Sequence, residues 1–223
     1  MKKKAGLLLV VFYFGMTFFF KTEISENILL RISDSEFWDK YLDLFFYIFF
    51  TSFILIIYRK VLIESFRDFI KNVEKYIKKG LIVYIIIIFT MVITAIILSK
   101  FSIGESSNEI AVKQSMESNI LIMSFVTCLF GPFVEEMIFR GILYEQIRNI
   151  KDNKLGMYIA IIIVSLLFAV YHADFQSMKN IQILAFLPLF FLGIGLSYLY
   201  ERTNNVFTPL IVHILLNIFA LYG

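Results

Sequence analysis

The chain has 223 residues, of which 59% are hydrophobic and only 17% are charged. Its mean hydropathy of +0.80 is typical of a protein that crosses a membrane several times and argues against a soluble enzyme. The net charge of +3 is small and its cations lie in the polar segments, so it reports on membrane topology and gives no indication of a nucleic-acid partner.

The hydropathy pattern predicts an all-α polytopic membrane helix bundle with about seven spans. In chain order these are 5–20, 41–58, 81–98, 120–148, 157–171, 181–200 and 206–222. The first span follows three lysines, as in a signal peptide, but no small-x-small cleavage pattern comes before Lys21. We therefore expect the first span to be retained.

A separate amphipathic helix is predicted between the second and third spans. Residues 59–79 carry seven cations, and apolar side chains recur between them at helical spacing. The positive-inside rule then favours a cytoplasmic N-terminus, with this helix on the cytoplasmic face. We expect a multi-pass protein of the cell membrane, and the short chain rich in Ile, Lys and Phe favours a bacterial plasma membrane.

The single cysteine, Cys128, lies in an apolar segment. One thiol cannot form an intramolecular disulfide, and it cannot supply a zinc site built from several thiolates. We therefore expect Cys128 to be a small packing residue.

Two adjacent carboxylates, Glu135 and Glu136, lie inside the fourth predicted span. Placing an ionised side chain in hydrocarbon costs about 2.5–3.5 kcal/mol on insertion scales. Each glutamate is therefore expected to have a compensating partner or a functional role. Arg140 lies four residues after Glu136 and shares its helix face, whereas Glu135 is rotated by about 100°. The arginine can therefore neutralise one carboxylate while the other stays free for chemistry, although an ion cluster with a purely structural role remains the alternative.

The two histidines of the chain, His172 and His213, also lie in apolar segments, and Asn217 follows His213 by one helical turn. A single histidine in a membrane helix is usually a hydrogen-bonding group between helices. Several polar residues on three spans are expected to converge on the bundle interior and form one site. Their depths agree if the fourth helix continues to Arg148, at a rise of about 1.5 Å per residue.

These residue types suit hydrolysis in two ways. A glutamate and a histidine facing one water can act as a general base, while His213 and Asn217 stabilise an oxyanion. Alternatively, Glu135, His172 and His213 form a two-His, one-Glu zinc set with an open position for water. The sequence does not decide between the two, and it contains neither a His-Glu-x-x-His motif nor a Gly-x-Ser-x-Gly elbow.

Three motifs resemble those of a known family. Glu135-Glu136-x-x-x-Arg140, Phe168-x-x-x-His172 and His213-x-x-x-Asn217 are similar, in order and spacing, to the motifs of the CPBP intramembrane proteases. That family includes the type II CAAX prenyl proteases and the Abi-like proteins of bacteriocin processing and immunity. The resemblance covers roughly 120–218, so we divide the chain into N-terminal spans with the amphipathic helix, 1–119, and core helices, 120–223.

The resemblance implies an endopeptidase that acts on membrane-associated proteins or peptides within the bilayer. By position, Glu135 and His172 activate water, and His213 and Asn217 form the oxyanion hole. Glu136 and Arg140 order the site, and Phe168 contributes less directly. The family has been described both as metalloproteases and as metal-free glutamate proteases. We favour the metal-free form here and keep zinc as the alternative, with Glu135, His172 and His213 as its ligands.

Two other functions remain open at this point. The chain could be a membrane partner without catalytic activity, such as a bacteriocin-immunity or scaffold protein. It could also carry protons or ions through its buried carboxylates, although no inverted repeat of the transporter type supports that interpretation.

Overall fold

The computed structural model describes residues 2–101, 119–151, 153–172 and 186–222, and all regular structure in these ranges is helical. The prediction of an all-α membrane helix bundle is confirmed. The helices are α1 (Lys2–Phe19), α2 (Glu23–Leu29), α3 (Ser35–Lys71), α4 (Val73–Ser99), α5 (Ile120–Arg148), α6 (Lys154–Tyr171), α7 (Leu187–Thr203) and α8 (Phe207–Tyr222).

Seven of these helices, all except α2, correspond in order to the seven predicted spans. Within the described residues, four segments are long and apolar enough to cross a membrane: Lys40–Lys71, α4, α5 and α6. A fifth arises if α1 and α2, which meet at a bend of 81°, count as one span, and α8 is a shorter apolar helix. The predicted start of the sixth span, 181–185, lies outside the described residues.

The separate amphipathic helix predicted over 59–79 is absent from the part of the chain that the structure describes. Residues 59–71 instead continue α3, and 73–79 form the first turns of α4. No glycine or proline occurs between Tyr41 and Lys71, so nothing in the sequence ends the helix where the hydrophobic span ends. The break falls at Asn72, whose side chain donates hydrogen bonds to the backbone oxygen and Oδ1 of Asp68.

Helix α5 occupies the centre of the bundle. It contacts α1, α3, α6, α7 and α8, and it contains the two adjacent glutamates. The helix runs without interruption to Arg148, as the depth argument from the sequence predicted. Polar side chains on α5 can therefore meet partners from most of the other helices.

Helix α7 packs closely between α6 and α4 because two glycines remove side chains from the contact. A methyl group added at Gly193 would lie 2.9 Å from Ser165 Cα on α6. A methyl group added at Gly195 would lie 2.6 Å from the side chain of Ile87 on α4. Small residues permit such close approach of membrane helices.

The close contact between Gly193 and Ser165 predicts the effect of a single methyl group. Because the methyl of Gly193→Ala meets backbone atoms, α6 and α7 must separate, at a cost of about 1–3 kcal/mol. The control is Gly15→Ala on α1, where an added methyl meets nothing within 4 Å. Thermal unfolding in detergent should show a lower midpoint for Gly193→Ala and an unchanged or slightly higher one for Gly15→Ala. Equal midpoints would contradict the packing argument.

Candidate active site

Helix α5 changes its hydrogen-bonding pattern beside the glutamates. Val126–Phe130 and Met137–Tyr144 are π-helical, and Gly131–Glu136 between them is α-helical. The Gly131 N–H donates to the carbonyl of Val126, five residues earlier, and a methyl added at Gly131 would lie 3.0 Å from that oxygen. The segment around Gly131 and Pro132 is therefore a wide turn inside a continuous helix, a form that is frequent at functional sites.

Pro132 leaves one backbone carbonyl of this wide turn without its usual donor. In the i+5 pattern the carbonyl of Thr127 would accept from residue 132, but proline has no N–H. The Asn217 side chain on α8 donates to this carbonyl from Nδ2 at 2.7 Å. The bond satisfies the carbonyl and joins α8 to the wide turn.

A buried charge cluster lies on the next turn of α5. Arg140 Nη1 donates to Glu136 Oε1 at 2.7 Å, and both side chains are fully buried. The Arg140 guanidinium also lies over the Phe168 ring, 4.9 Å from its centroid, and Nη2 donates to the Gly193 carbonyl at 3.3 Å. The i, i+4 ion pair predicted from the sequence is thus present, and the cluster joins α5 to α6 and α7.

His213 is attached to the same carboxylate. Its Nδ1 lies 2.9 Å from Glu136 Oε1, and its side chain is 3% exposed. A carboxylate paired with an arginine is ionised and only accepts, so His213 Nδ1 carries the proton. In the neutral ring, Nε2 then carries a lone pair and accepts hydrogen bonds. In the protonated ring, the negative charge of Glu136 lies beside the positive charge of the imidazolium.

The backbone fixes the tautomer of His172. Its Nδ1 lies 2.8 Å from the carbonyl oxygen of Phe168, and a carbonyl only accepts, so Nδ1 is the protonated nitrogen. The Phe168 ring packs on both imidazoles, at centroid distances of 4.4 Å to His172 and 5.9 Å to His213. With Nδ1 of each ring engaged, Nε2 is the nitrogen that each imidazole directs toward Glu135.

Glu135 faces both of these nitrogens. Its Oε2 lies 3.7 Å from His172 Nε2 and 3.8 Å from His213 Nε2, and the carboxylate is almost completely buried. These separations are too long for direct hydrogen bonds. Atoms at this spacing can share one water molecule, which donates to the carboxylate and to a lone-pair nitrogen. The other oxygen, Oε1, accepts from the Tyr47 hydroxyl at 3.3 Å.

The same three side chains are the candidate zinc ligands. Tetrahedral zinc with bonds of about 2.0–2.1 Å separates neighbouring ligand atoms by about 3.3 Å. Both separations from Glu135 exceed this by several tenths of an ångström. Within the described ranges no group of three or more His, Cys, Asp or Glu side chains is arranged to hold a metal ion. The donor chemistry suits zinc, but the side chains as placed do not form a zinc site.

Six of the seven residues predicted from the sequence contact one another through the bonds and ring contacts above: Glu135, Glu136, Arg140, Phe168, His172 and His213. Asn217 differs, since its one hydrogen bond in the described part of the chain goes to Thr127. Sequence reasoning missed Tyr47, because one tyrosine within the aromatic-rich α3 carries no local signal.

Comparison with known proteins identifies the same part of the chain. Residues 117–219 match the Rce1-like family model, described as type II CAAX prenyl endopeptidase Rce1-like. These residues include all three motifs, and the resemblance inferred from the motifs is confirmed.

Three relatives are similar to this chain. The membrane-embedded CAAX protease MroQ of Staphylococcus aureus (strain USA300) is 28% identical over 156 residues, which cover 68% of this chain and 60% of that protein. YdiL of Bacillus subtilis (strain 168), named as a membrane peptidase, is 29% identical over 54% of this chain and 44% of its own length. The UPF0177 protein YxdF of Lactococcus lactis subsp. lactis (strain IL1403) is 29% identical over 45% of this chain and 49% of its own length.

The matches thus span about half of the relatives' own lengths, between 44% and 60%. No solved structure gives a significant match to the chain.

The bond between Asn217 and Thr127 predicts a coupling to Pro132. Asn217→Ala should cost about 1–3 kcal/mol, because it leaves the partly buried Thr127 carbonyl unpaired. In a Pro132→Ala background the cost should fall, since residue 132 then has an N–H that can donate to Thr127. Thermal unfolding of both single variants, the double variant and the parent chain measures this coupling as a double-mutant cycle. Equal costs of Asn217→Ala in the two backgrounds would rule out this role for the asparagine.

Proposed function

We propose that the chain is an intramembrane endopeptidase of the CPBP family, on the basis of its similarity to the Rce1-like family over residues 117–219 and of the site geometry. Its substrates are membrane-associated proteins or peptides in the lipid bilayer. The observation that supports this best is the approach of Glu135 Oε2 to the Nε2 atoms of both histidines, within 3.8 Å. A carboxylate and the lone-pair nitrogen of His172 can bind and deprotonate a water molecule, and a protonated His213 presents an N–H at the same point throughout the reaction.

In the proposed first step, Glu135 is the general base. Water donates one hydrogen to Glu135 Oε2 and is oriented by His172 Nε2. As its oxygen attacks the peptide carbonyl carbon, the proton moves to the carboxylate, and the carbonyl π electrons move onto the carbonyl oxygen. In the second step the C–N bond breaks, the amine nitrogen takes the proton from Glu135, and the new carboxyl group forms. Atoms and charges balance without any other reactant.

His213 and Asn217 are proposed to stabilise the oxyanion of the tetrahedral intermediate. A protonated His213 donates from Nε2, and its positive charge is balanced by Glu136, which contacts Nδ1 at 2.9 Å. Asn217 has two N–H groups on its amide, and one of them is donated to Thr127. The other is the group proposed to reach the oxyanion.

Glu136 and Arg140 are proposed to order the site without touching the substrate. Their ion pair is fully buried, and it fixes both the Phe168 ring and the His213 imidazole. Because Arg140 neutralises Glu136, the charge beside Glu135 is small.

We propose the substrate class from the position of the site among apolar helices, which a membrane-associated peptide can reach. The S. aureus relative is named a CAAX protease. For this chain we propose a peptide or membrane-protein substrate and do not require a prenyl group, since the composition favours a bacterial protein.

Glu135→Gln should abolish proteolysis while the protein stays folded and inserted, because an amide cannot take the proton from water. Membrane-peptide proteomics of cells expressing the parent chain or the variant identifies cleavages that depend on Glu135. The matched control is Glu145→Gln, a carboxylate on the same helix that bonds to Tyr200 instead of the histidines. Cleavage by purified Glu135→Gln protein would refute the proposal. Full complementation of a deletion by this variant would support the non-catalytic membrane partner.

The metal-free mechanism makes a second prediction for the purified protein. Incubation with a zinc chelator followed by its removal should leave proteolysis unchanged, and added zinc should not increase it. Glu135, His172 and His213 are the residues that would hold zinc in the alternative mechanism. Loss of activity with the chelator and its recovery with zinc, together with one bound zinc by elemental analysis, would establish that alternative.

A further inference from the structure

Glu135 has a single hydrogen-bond donor among the described residues, and it lies outside the three motifs. The Tyr47 hydroxyl on α3 donates to Glu135 Oε1 at 3.3 Å. Tyr47 also precedes the region of family similarity, 117–219, by 70 residues. Within the described ranges, the donor that orients this carboxylate therefore comes from the N-terminal part of the chain.

The backbone of α5 is shaped to let these two groups meet. A methyl added at Gly131 would lie 3.6 Å from Tyr47 Cζ and 3.8 Å from Glu135 Oε1. The bare backbone of this glycine thus borders both groups. The N–H of this glycine also donates to the Val126 carbonyl and closes the wide turn. The turn and the contact between Tyr47 and Glu135 therefore both favour a residue without a side chain at position 131.

A second pair of tyrosines lies beside the histidines. Tyr171, the last residue of α6, accepts a hydrogen bond of 2.6 Å from Tyr13 on α1, and its ring packs edge-on against His172 at 5.0 Å. This bond joins two hydroxyls of α1 and α6, so the pair offers a matched control for the tyrosine that donates to Glu135.

We propose that Tyr47 is a positioning residue for Glu135, an inference that rests on the proposed function. A carboxylate can rotate about its last side-chain bond and exchange its two oxygens. A donor on Oε1 selects the rotation in which Oε2 points at the two imidazoles. The N-terminal spans thus contribute to the reaction by holding the base in the productive orientation.

Tyr47→Phe should lower kcat about tenfold and leave KM and the thermal midpoint unchanged, since it removes one oxygen and keeps the ring. The substrate is a quenched fluorescent peptide, in proteoliposomes, built on a Glu135-dependent cleavage site mapped in the membrane proteome. The control is Tyr13→Phe, which removes a fully buried hydroxyl that bonds to Tyr171 instead of the carboxylate. Its kcat should remain within about twofold of the parent value.

Three results would distinguish failure of the positioning role of Tyr47 from failure of the proposed protease function. A parental kcat for Tyr47→Phe, with Glu135→Gln inactive, overturns the positioning role and leaves the proposed function intact. Equal losses in Tyr47→Phe and Tyr13→Phe also overturn it, because a general packing role would affect both. Activity in Glu135→Gln refutes the proposed function itself, and the role of Tyr47 fails with it.

Discussion

The ion pair between Glu136 and Arg140 is the constraint on which the rest of the site depends. Each charge alone would be costly inside a membrane bundle, and both side chains are fully buried, so neither can be kept without the other. The pair then contacts its surroundings through His213, the Phe168 ring and the Gly193 carbonyl. One neutralised pair on α5 thus determines how α6, α7 and α8 are placed around it.

The change of helical pattern beside the glutamates has a cost that another helix offsets. Pro132 removes a donor from α5, and the carbonyl of Thr127 would be left unpaired in an apolar setting. Asn217 replaces the missing donor from α8. This bond and the one between His213 and Glu136 lie one helical turn apart on α8, so the two polar residues of one motif hold α8 against α5 at two points.

The sequence predicted the parts of the site that depend on one helix or on the cost of buried charge. The spacing of Glu136 and Arg140 predicted their pairing, and the tendency of polar side chains in membrane helices to face the bundle interior predicted that His172 and His213 would converge. Spacing did not predict the bond of Asn217, because that bond depends on a donor missing from another helix. Tyr47 was missed for the same reason, since its partner is 88 residues away and tyrosine is common at unrelated positions in apolar helices.

The errors in the fold also have a physical cause. Hydropathy locates the edge of the hydrocarbon, whereas a helix ends only where its hydrogen bonding is interrupted. Residues 41–71 contain no such interruption, so α3 extends past the predicted end of its span to Lys71.

The two adjacent glutamates of the site differ in their surroundings. Adjacent positions on α5 face different neighbours, so Glu136 meets a cation and becomes part of the scaffold, while Glu135 meets a hydroxyl and two imidazoles. Two identical side chains therefore have different hydrogen-bonding and charge environments because different helices surround them.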